Sequence, residues 1–236
     1  MGVSWLDLEH YPRREHFNLF RTMAYPYAGV SVEVEAGDLV RLCRQRGESF
    51  YLCFLHAAAL AADSVPELRR RIRGSGIVEY DACPTSHIEL LEDETYCYCT
   101  LHHHMPLEQY LTYAKEQRRL CRAKGSIEED GDPEGMYFIS TLPWLSYTAL
   151  LQPVSCGNDS NPRITWGRYQ EKAGGAITLP VSLLVHHALA DGVHIARFYA
   201  ALDRELEALC SGLSAPTSGE NAAGSSPEGV HLADGK

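Results

Sequence analysis

The pattern of apolar and polar positions divides the chain into short strands and helices without regular alternation. Residues 29–35 read Gly-Val-Ser-Val-Glu-Val-Glu, a strict period of two that predicts a half-buried strand with Val30, Val32 and Val34 turned inward. Asp38 follows as a helix cap, and residues 39–46 and the Ala-rich stretch 50–63 fit helices. Pro66 opens another short helical piece. Residues 77–81, 85–91 and 95–102 are successive strand candidates, predicting a meandering sheet. Residues 106–124 carry Leu107, Tyr110, Leu111, Ala114 and Leu120 at helical spacing, with Lys115, Glu116, Gln117 and Arg119 outside. Strands at 136–140, 146–152, 163–169 and 176–188 follow, broken by Pro143, residues 158–162 and Gly174-Gly175, and a last helix spans 191–209. This order predicts an α/β fold, a two-layer sandwich of a mixed sheet covered by helices. Residues 1–210 read as one domain, and residues 211–236, rich in Gly, Ser, Pro, Ala and Glu, as a disordered tail.

Composition narrows the class. Among 236 residues, 45% are hydrophobic and 22% charged, the balance of a globular protein. A formal net charge of −10 argues against a general nucleic-acid or anionic-membrane surface. The basic run Arg69, Arg70, Arg71 and Arg73 reads as a solvated helical face. The eight cysteines lie mostly inside apolar segments, which predicts reduced core thiols. The N-terminal residues lack the basic and apolar regions of a signal peptide and no apolar run reaches membrane-spanning length, so the expectation is a cytoplasmic protein. Cys97 and Cys99 are predicted on one strand face as buried thiols, and His102-His103-His104 as a solvated strand end, so no metal site is expected.

The segment His186-His187-Ala188-Leu189-Ala190-Asp191-Gly192 carries the clearest chemistry. An apolar strand delivers two histidines to a turn, and their side chains must face opposite ways. A histidine there suits proton transfer because its pKa lies near neutrality, while two satisfied core histidines and an Asp191 helix cap fit equally well.

With that motif, Tyr11-Pro12-Arg13-Arg14-Glu15-His16-Phe17, Pro66-Glu67-Leu68-Arg69 and Ser140-Thr141-Leu142-Pro143-Trp144 occur in order over about 1–210, and together they resemble the chloramphenicol acetyltransferase family. The resemblance implies a homotrimer with each active site at a subunit interface and acetyl-CoA as co-substrate. It implies His187 as general base, His186 as structural, and an ion pair between Asp191 and Arg14 that holds the backbone in shape. Thr165 would hold a water near the tetrahedral intermediate, and Tyr169 would lie on the coenzyme side. Leu19, Phe20 and Tyr96 match the acceptor pocket, whereas Tyr98 stands where a small residue is expected; with Tyr25 and Tyr27 it makes the rim more polar, or these rings merely half-cover the sheet.

One departure matters. The family has an oxyanion-stabilising serine five residues after the Pro-Trp tryptophan, and here that position is Ala149. Losing such a donor costs about a hundred- to a thousandfold in rate. Ser146 or Thr148 is the expected replacement, although strand alternation turns Thr148 to the opposite face. The readings left open are an O-acetyltransferase acting on chloramphenicol or another small, largely apolar alcohol, a slow or inactive trimer that binds a hydrophobic ligand or coenzyme A, and acyl transfer to a lipoyl thiol. The last is disfavoured because the chain has no lipoyl or linker region.

Overall fold

The computed structural model describes residues 2–155 and 158–214. Its main sheet joins β2 (Tyr27–Glu35), β10 (Ile177–His186), β8 (Arg163–Gly167), β7 (Tyr137–Leu142), β5 (Thr85–Leu90) and β6 (Tyr96–Leu101) in that order, with the short β9 (Gln170–Glu171) also on β10. Pairs β5–β7 and β7–β8 are parallel and the rest antiparallel, giving the expected mixed sheet. Helices α2 (Gly37–Arg46), α3 (Phe50–Asp63), α4 (Leu107–Lys124) and α5 (Gly192–Ser214) contribute buried residues to the core against one face. The sequence of α3 is apolar nearly all round because it is enclosed on nearly every side, and Ser49 caps it by accepting from the Leu52 N–H at 3.4 Å. None of the described helices is long and apolar enough to cross a membrane.

A second sheet orders β1 (Val3–Trp5), β4 (Gly76–Tyr80) and β3 (Arg70–Arg73). With α1 (Arg14–Phe20) it forms a separate small core of Tyr11, Phe17, Ile72, Ile77, Ala188 and Leu189. That core lies directly under the turn following β10 and fixes its shape.

Several sequence expectations are corrected. The meander forms only in part: β5 and β6 pair antiparallel as expected, but β4 pairs with β1 and β3 and not with β5. The basic run is no solvated helical face, since residues 70–73 form β3 and Arg71 is fully buried. Its guanidinium donates to the carbonyls of Leu68, Arg70, Glu134 and Met136, satisfying the charge with main-chain dipoles. Residues 146–152 form no strand, because β8 is bonded to β7 on one side and β10 on the other and no ladder position remains between them. Val34 is buried as expected, but Val30 and Val32 are 45% and 37% exposed, because β2 is the sheet edge. The last helix runs on to Ser214, and residues 215–236 of the expected tail lie outside the described residues.

Cys97 and Cys99 do share the buried face, and six of the seven described cysteines are buried free thiols. Cys156 lies outside the described residues.

Candidate active site

β10 ends at His186, and the next five residues turn the chain into α5. The Leu189 N–H donates to the His186 carbonyl at 2.9 Å and closes the turn. His186 is buried, and its Nδ1 accepts from the Ala188 N–H at 3.2 Å. His187 is half-buried, and its N–H donates to the Pro26 carbonyl at 2.7 Å.

The His187 ring is fixed from two sides. Phe20 stacks on it with ring centroids 3.9 Å apart and planes within 18°. Nδ1 lies 3.1 Å from the Ala190 carbonyl oxygen, which can only accept. Nδ1 therefore carries the ring proton of the neutral imidazole, and Nε2 presents a lone pair. An imidazole held in this tautomer is set up to accept a proton.

Asp191 braces the turn, but its partner is Arg13 and not Arg14. Arg13 precedes α1 and is half-buried, pairing through Nη1 with Asp191 Oδ2 and donating from Nη2 to the His187 carbonyl at 3.3 Å. Arg14 is the first residue of α1 and exposed, so the helix start decides which arginine reaches inward. Asp191 also accepts from the Val193 N–H at 3.3 Å, so it caps α5 as well. His194 Nδ1 lies 2.9 Å from its other oxygen. Burial works to raise the Asp191 pKa, but the hydrogen bond and charge of Arg13 outweigh it and hold the carboxyl below its ordinary range.

On the open face of the sheet, Ser140, Thr165, Ser182 and Ser31 occupy aligned positions on β7, β8, β10 and β2. Strand alternation puts all four hydroxyls on one side. The Ser31 and Ser182 hydroxyls are 2.6 Å apart, and the Tyr147 hydroxyl sits 3.1 Å from Ser182 while donating to the Thr165 carbonyl at 2.8 Å. Beside this row lies a cavity of about 620 Å³, lined among others by Ser86, Tyr98, Ser140, Gln152, Arg163 and Thr165.

The cavity gathers only some of the predicted residues. Thr165 and Tyr98 line it, whereas Ser146, Thr148 and Ala149 sit exposed in an irregular segment and are not part of its wall. Strand alternation thus gives no reason to favour either hydroxyl as the missing donor. Leu19 and Tyr96 are 56% and 44% exposed and lie outside the cavity, and Phe20 is committed to His187. Tyr169 is half-buried beside Phe50, its hydroxyl accepting from Arg44 Nη2 at 3.2 Å.

Sequence reasoning missed Gln152, whose Nε2 donates to the Thr165 hydroxyl and whose Oε1 is buried without a hydrogen-bond partner among the described residues. It also missed Glu129 and Arg163 in the cavity wall. Arg163 pairs with Asp159 at 2.6 Å; Glu129 accepts from the Ser86 hydroxyl at 2.6 Å and leaves Oε2 buried without a hydrogen-bond partner among the described residues. The family motifs quoted above do not include these positions, and no local sequence signal marks Glu129, which stands in an acidic run.

Within one chain His187 and Thr165 stand apart. Thr165 pairs with Ser182, and His187 lies five residues further along, roughly 16 Å at the rise of an extended strand.

Comparison with known proteins agrees with this architecture. The chloramphenicol acetyltransferase family profile matches residues 1–203. A chloramphenicol acetyltransferase of Proteus mirabilis is 26% identical over 222 residues, covering 89% of this chain and 97% of its own. One from Streptomyces acrimycini is 29% identical over 213 residues, covering 86% and 92%. A solved chloramphenicol acetyltransferase structure superposes with a TM-score of 0.73 at 27% identity, over 87% of this chain and all of that one. A probable dihydrolipoamide acetyltransferase from Listeria monocytogenes shares the fold at a TM-score of 0.64 and 15% identity, covering 84% of this chain and 93% of its own. The chain belongs to the chloramphenicol acetyltransferase family.

Proposed function

We propose that the protein is an acetyl-CoA-dependent O-acetyltransferase that works as a homotrimer, His187 of one copy facing the cavity of the next. The observation that carries this reading is the orientation of His187: Nδ1 is tied to the Ala190 carbonyl and Nε2 is left as an acceptor. The separation of roughly 16 Å from Thr165 supports a site shared with a second copy. Exposed apolar side chains on the segment between β7 and β8, Trp144 at 61% and Leu151 at 93%, are surface that assembly would cover.

In the proposed reaction the acceptor hydroxyl lies between Thr165 and His187 of the neighbouring copy. Nε2 takes the hydroxyl proton as the oxygen attacks the thioester carbonyl, giving a tetrahedral oxyanion. Collapse expels the coenzyme A thiolate, which recovers the proton from the imidazolium, so no acyl-enzyme forms. Arg13 and Asp191 hold the His187 main chain, and Tyr169 lies on the coenzyme side. Gln152 takes the place Ala149 vacates: its amide, already donating to the Thr165 hydroxyl, supplies a fixed dipole beside the developing charge. The acceptor is chloramphenicol or a similar small alcohol. Tyr98, Arg163 and Glu129 in the cavity wall favour one carrying polar groups besides its hydroxyl.

A second reading, a trimer that binds such a ligand and turns over slowly, is favoured by Ala149. Release of coenzyme A thiol from acetyl-CoA, with and without chloramphenicol, separates the two. Chloramphenicol-dependent release that falls about 10²- to 10⁴-fold in His187→Ala supports the enzyme. Binding of chloramphenicol without release supports the second reading, and release indifferent to His187→Ala removes the base from its role.

A further inference from the structure

The cluster formed by Asp63, His103 and His104 lies outside the proposed catalytic apparatus. Asp63 is the last residue of α3, and the two histidines follow β6. Instead of forming a solvated strand end, His103 is 2% exposed and only His104 faces water, with 55% of its side chain exposed. Both imidazoles turn Nε2 to the same carboxylate oxygen, Asp63 Oδ2, at 2.9 Å and 2.6 Å. The three donor atoms lie within 4.8 Å of one another.

The surroundings hold this arrangement. Asp63 Oδ1 accepts from the Tyr137 hydroxyl at 2.7 Å and from the Cys83 N–H at 3.2 Å, which fixes the carboxylate plane and leaves Oδ2 for the histidines. The histidine main chain is pinned as well, because His56 Nε2 lies 3.0 Å from the His103 carbonyl and 3.1 Å from that of Met105. Outer partners that orient a ligating carboxylate are a regular part of metal sites. The Asp63 side chain, with 6% of its surface exposed, offers a buried ligand, while His104 provides a route in from solvent.

We infer that Asp63, His103 and His104 form a binding site for a divalent transition metal, zinc, which ties the C-terminal end of α3 to the segment after β6. Two imidazoles and one carboxylate are a borderline-soft donor set suited to zinc and poorly suited to calcium or magnesium. Metal bonds of about 2.0–2.1 Å in a tetrahedral site require donors roughly 3.3 Å apart, so each histidine-to-carboxylate distance needs to open by less than about 1 Å. His104, at the surface, is free to make that move, and water completes the shell. Each imidazole then turns a lone pair to the ion where it otherwise points an N–H at Oδ2. The role is structural, since none of the three residues lines the cavity beside Thr165 or contacts His187.

The experiment uses the full chain freed of metal by a chelator and titrated with zinc chloride, alongside His104→Ala. One zinc ion per chain and a rise in thermal midpoint of roughly 5–10 °C at a hundredfold excess over Kd are expected. His104→Ala should lose both while keeping its fold and its acetyl transfer. Cobalt substituted for zinc should give the visible absorption of a tetrahedral site in the parent only. No stabilisation by zinc, or zinc binding that His104→Ala leaves unchanged, overturns the assignment and makes the cluster a hydrogen-bonded clamp.

Discussion

The two faces of the main sheet follow opposite rules, although each is built from alternate residues of the same strands. On β8, Ile164 and Trp166 are buried with the helices while Thr165 between them faces the cavity. On β5, His87 and Glu89 point to the helical side, and Ser86 and Ile88 line the cavity. The covered face pairs its buried charge. Glu89, 2% exposed, takes His87 Nε2 at 3.1 Å and bonds from both Arg118 and Arg122. The open face keeps apolar side chains such as Trp144 and Leu151 in solvent and leaves Glu129 Oε2 without a hydrogen-bond partner among the described residues. Stability is therefore concentrated on one side and binding chemistry on the other, and substitutions should separate the two.

The largest effect is expected on the covered face. Glu89→Ala leaves Arg118 partly buried without its counter-charge, a loss of about 3–5 kcal/mol, or roughly 6–20 °C in thermal midpoint for a chain of this size. The pH dependence follows from the same group. Burial works to raise the Glu89 pKa, but the bonds from His87 and Arg118 prevail and bring it to about 2. A lowered acid stabilises in full above the unfolded value of about 4.3 and stops contributing as pH falls towards the folded value. The difference between parent and Glu89→Ala should then be largest near neutrality and shrink between about pH 4.3 and about 2, as chemical denaturation across that range will test. Acetyl transfer by the folded variant should be unchanged.

On the open face the expected pattern reverses. Thr165→Val keeps shape and β propensity but removes the acceptor of the Gln152 amide. Its kcat should drop about 10- to 100-fold, roughly 1.4–2.7 kcal/mol, with the melting curve within a few degrees of the parent. Adding Ala149→Ser to the parent should change kcat by less than threefold, because Ala149 lies outside the cavity wall that Gln152 helps form. A large gain from Ala149→Ser would return the oxyanion role to position 149 and relieve Gln152 of it.

The sequence was most readable where local pattern and final environment agree. Residues 50–63 are apolar nearly throughout because α3 is enclosed, whereas of the three valines alternating along β2 only Val34 is buried. It was least readable where distant groups decide. Nothing local shows that Arg71 will be buried, since the carbonyls that receive it come partly from Glu134 and Met136, more than sixty residues away. Residues 146–152 have the side chains of a strand, but both ladder neighbours of β8 are already taken by β7 and β10. The turn carrying His187 could be read because its residues are contiguous; Gln152, Glu129 and Arg163 could not, because only the folded sheet brings them together.

The smallest effect also tests the join between the two faces, since Arg13 and Arg14 are neighbours with different surroundings. Arg13 spans from the small core to Asp191 and the His187 carbonyl, whereas Arg14 is exposed at the start of α1. Arg13→Ala should cost about 1–2 kcal/mol, as expected for a charged hydrogen bond lost at a partly exposed pair. It should also lower kcat more than it raises KM, because the displaced group is the main chain holding His187 and not a substrate contact. Arg14→Ala should stay within about 0.5 kcal/mol of the parent. Because Arg13 holds the Asp191 carboxyl below its ordinary range, the stability difference between parent and Arg13→Ala should be complete above the unfolded aspartate pKa of about 3.9 and close as pH falls below it. If Arg14→Ala produced the larger loss, the assignment of the ion pair would move to Arg14, and the start of α1 would have to shift by one residue to bring that guanidinium inward.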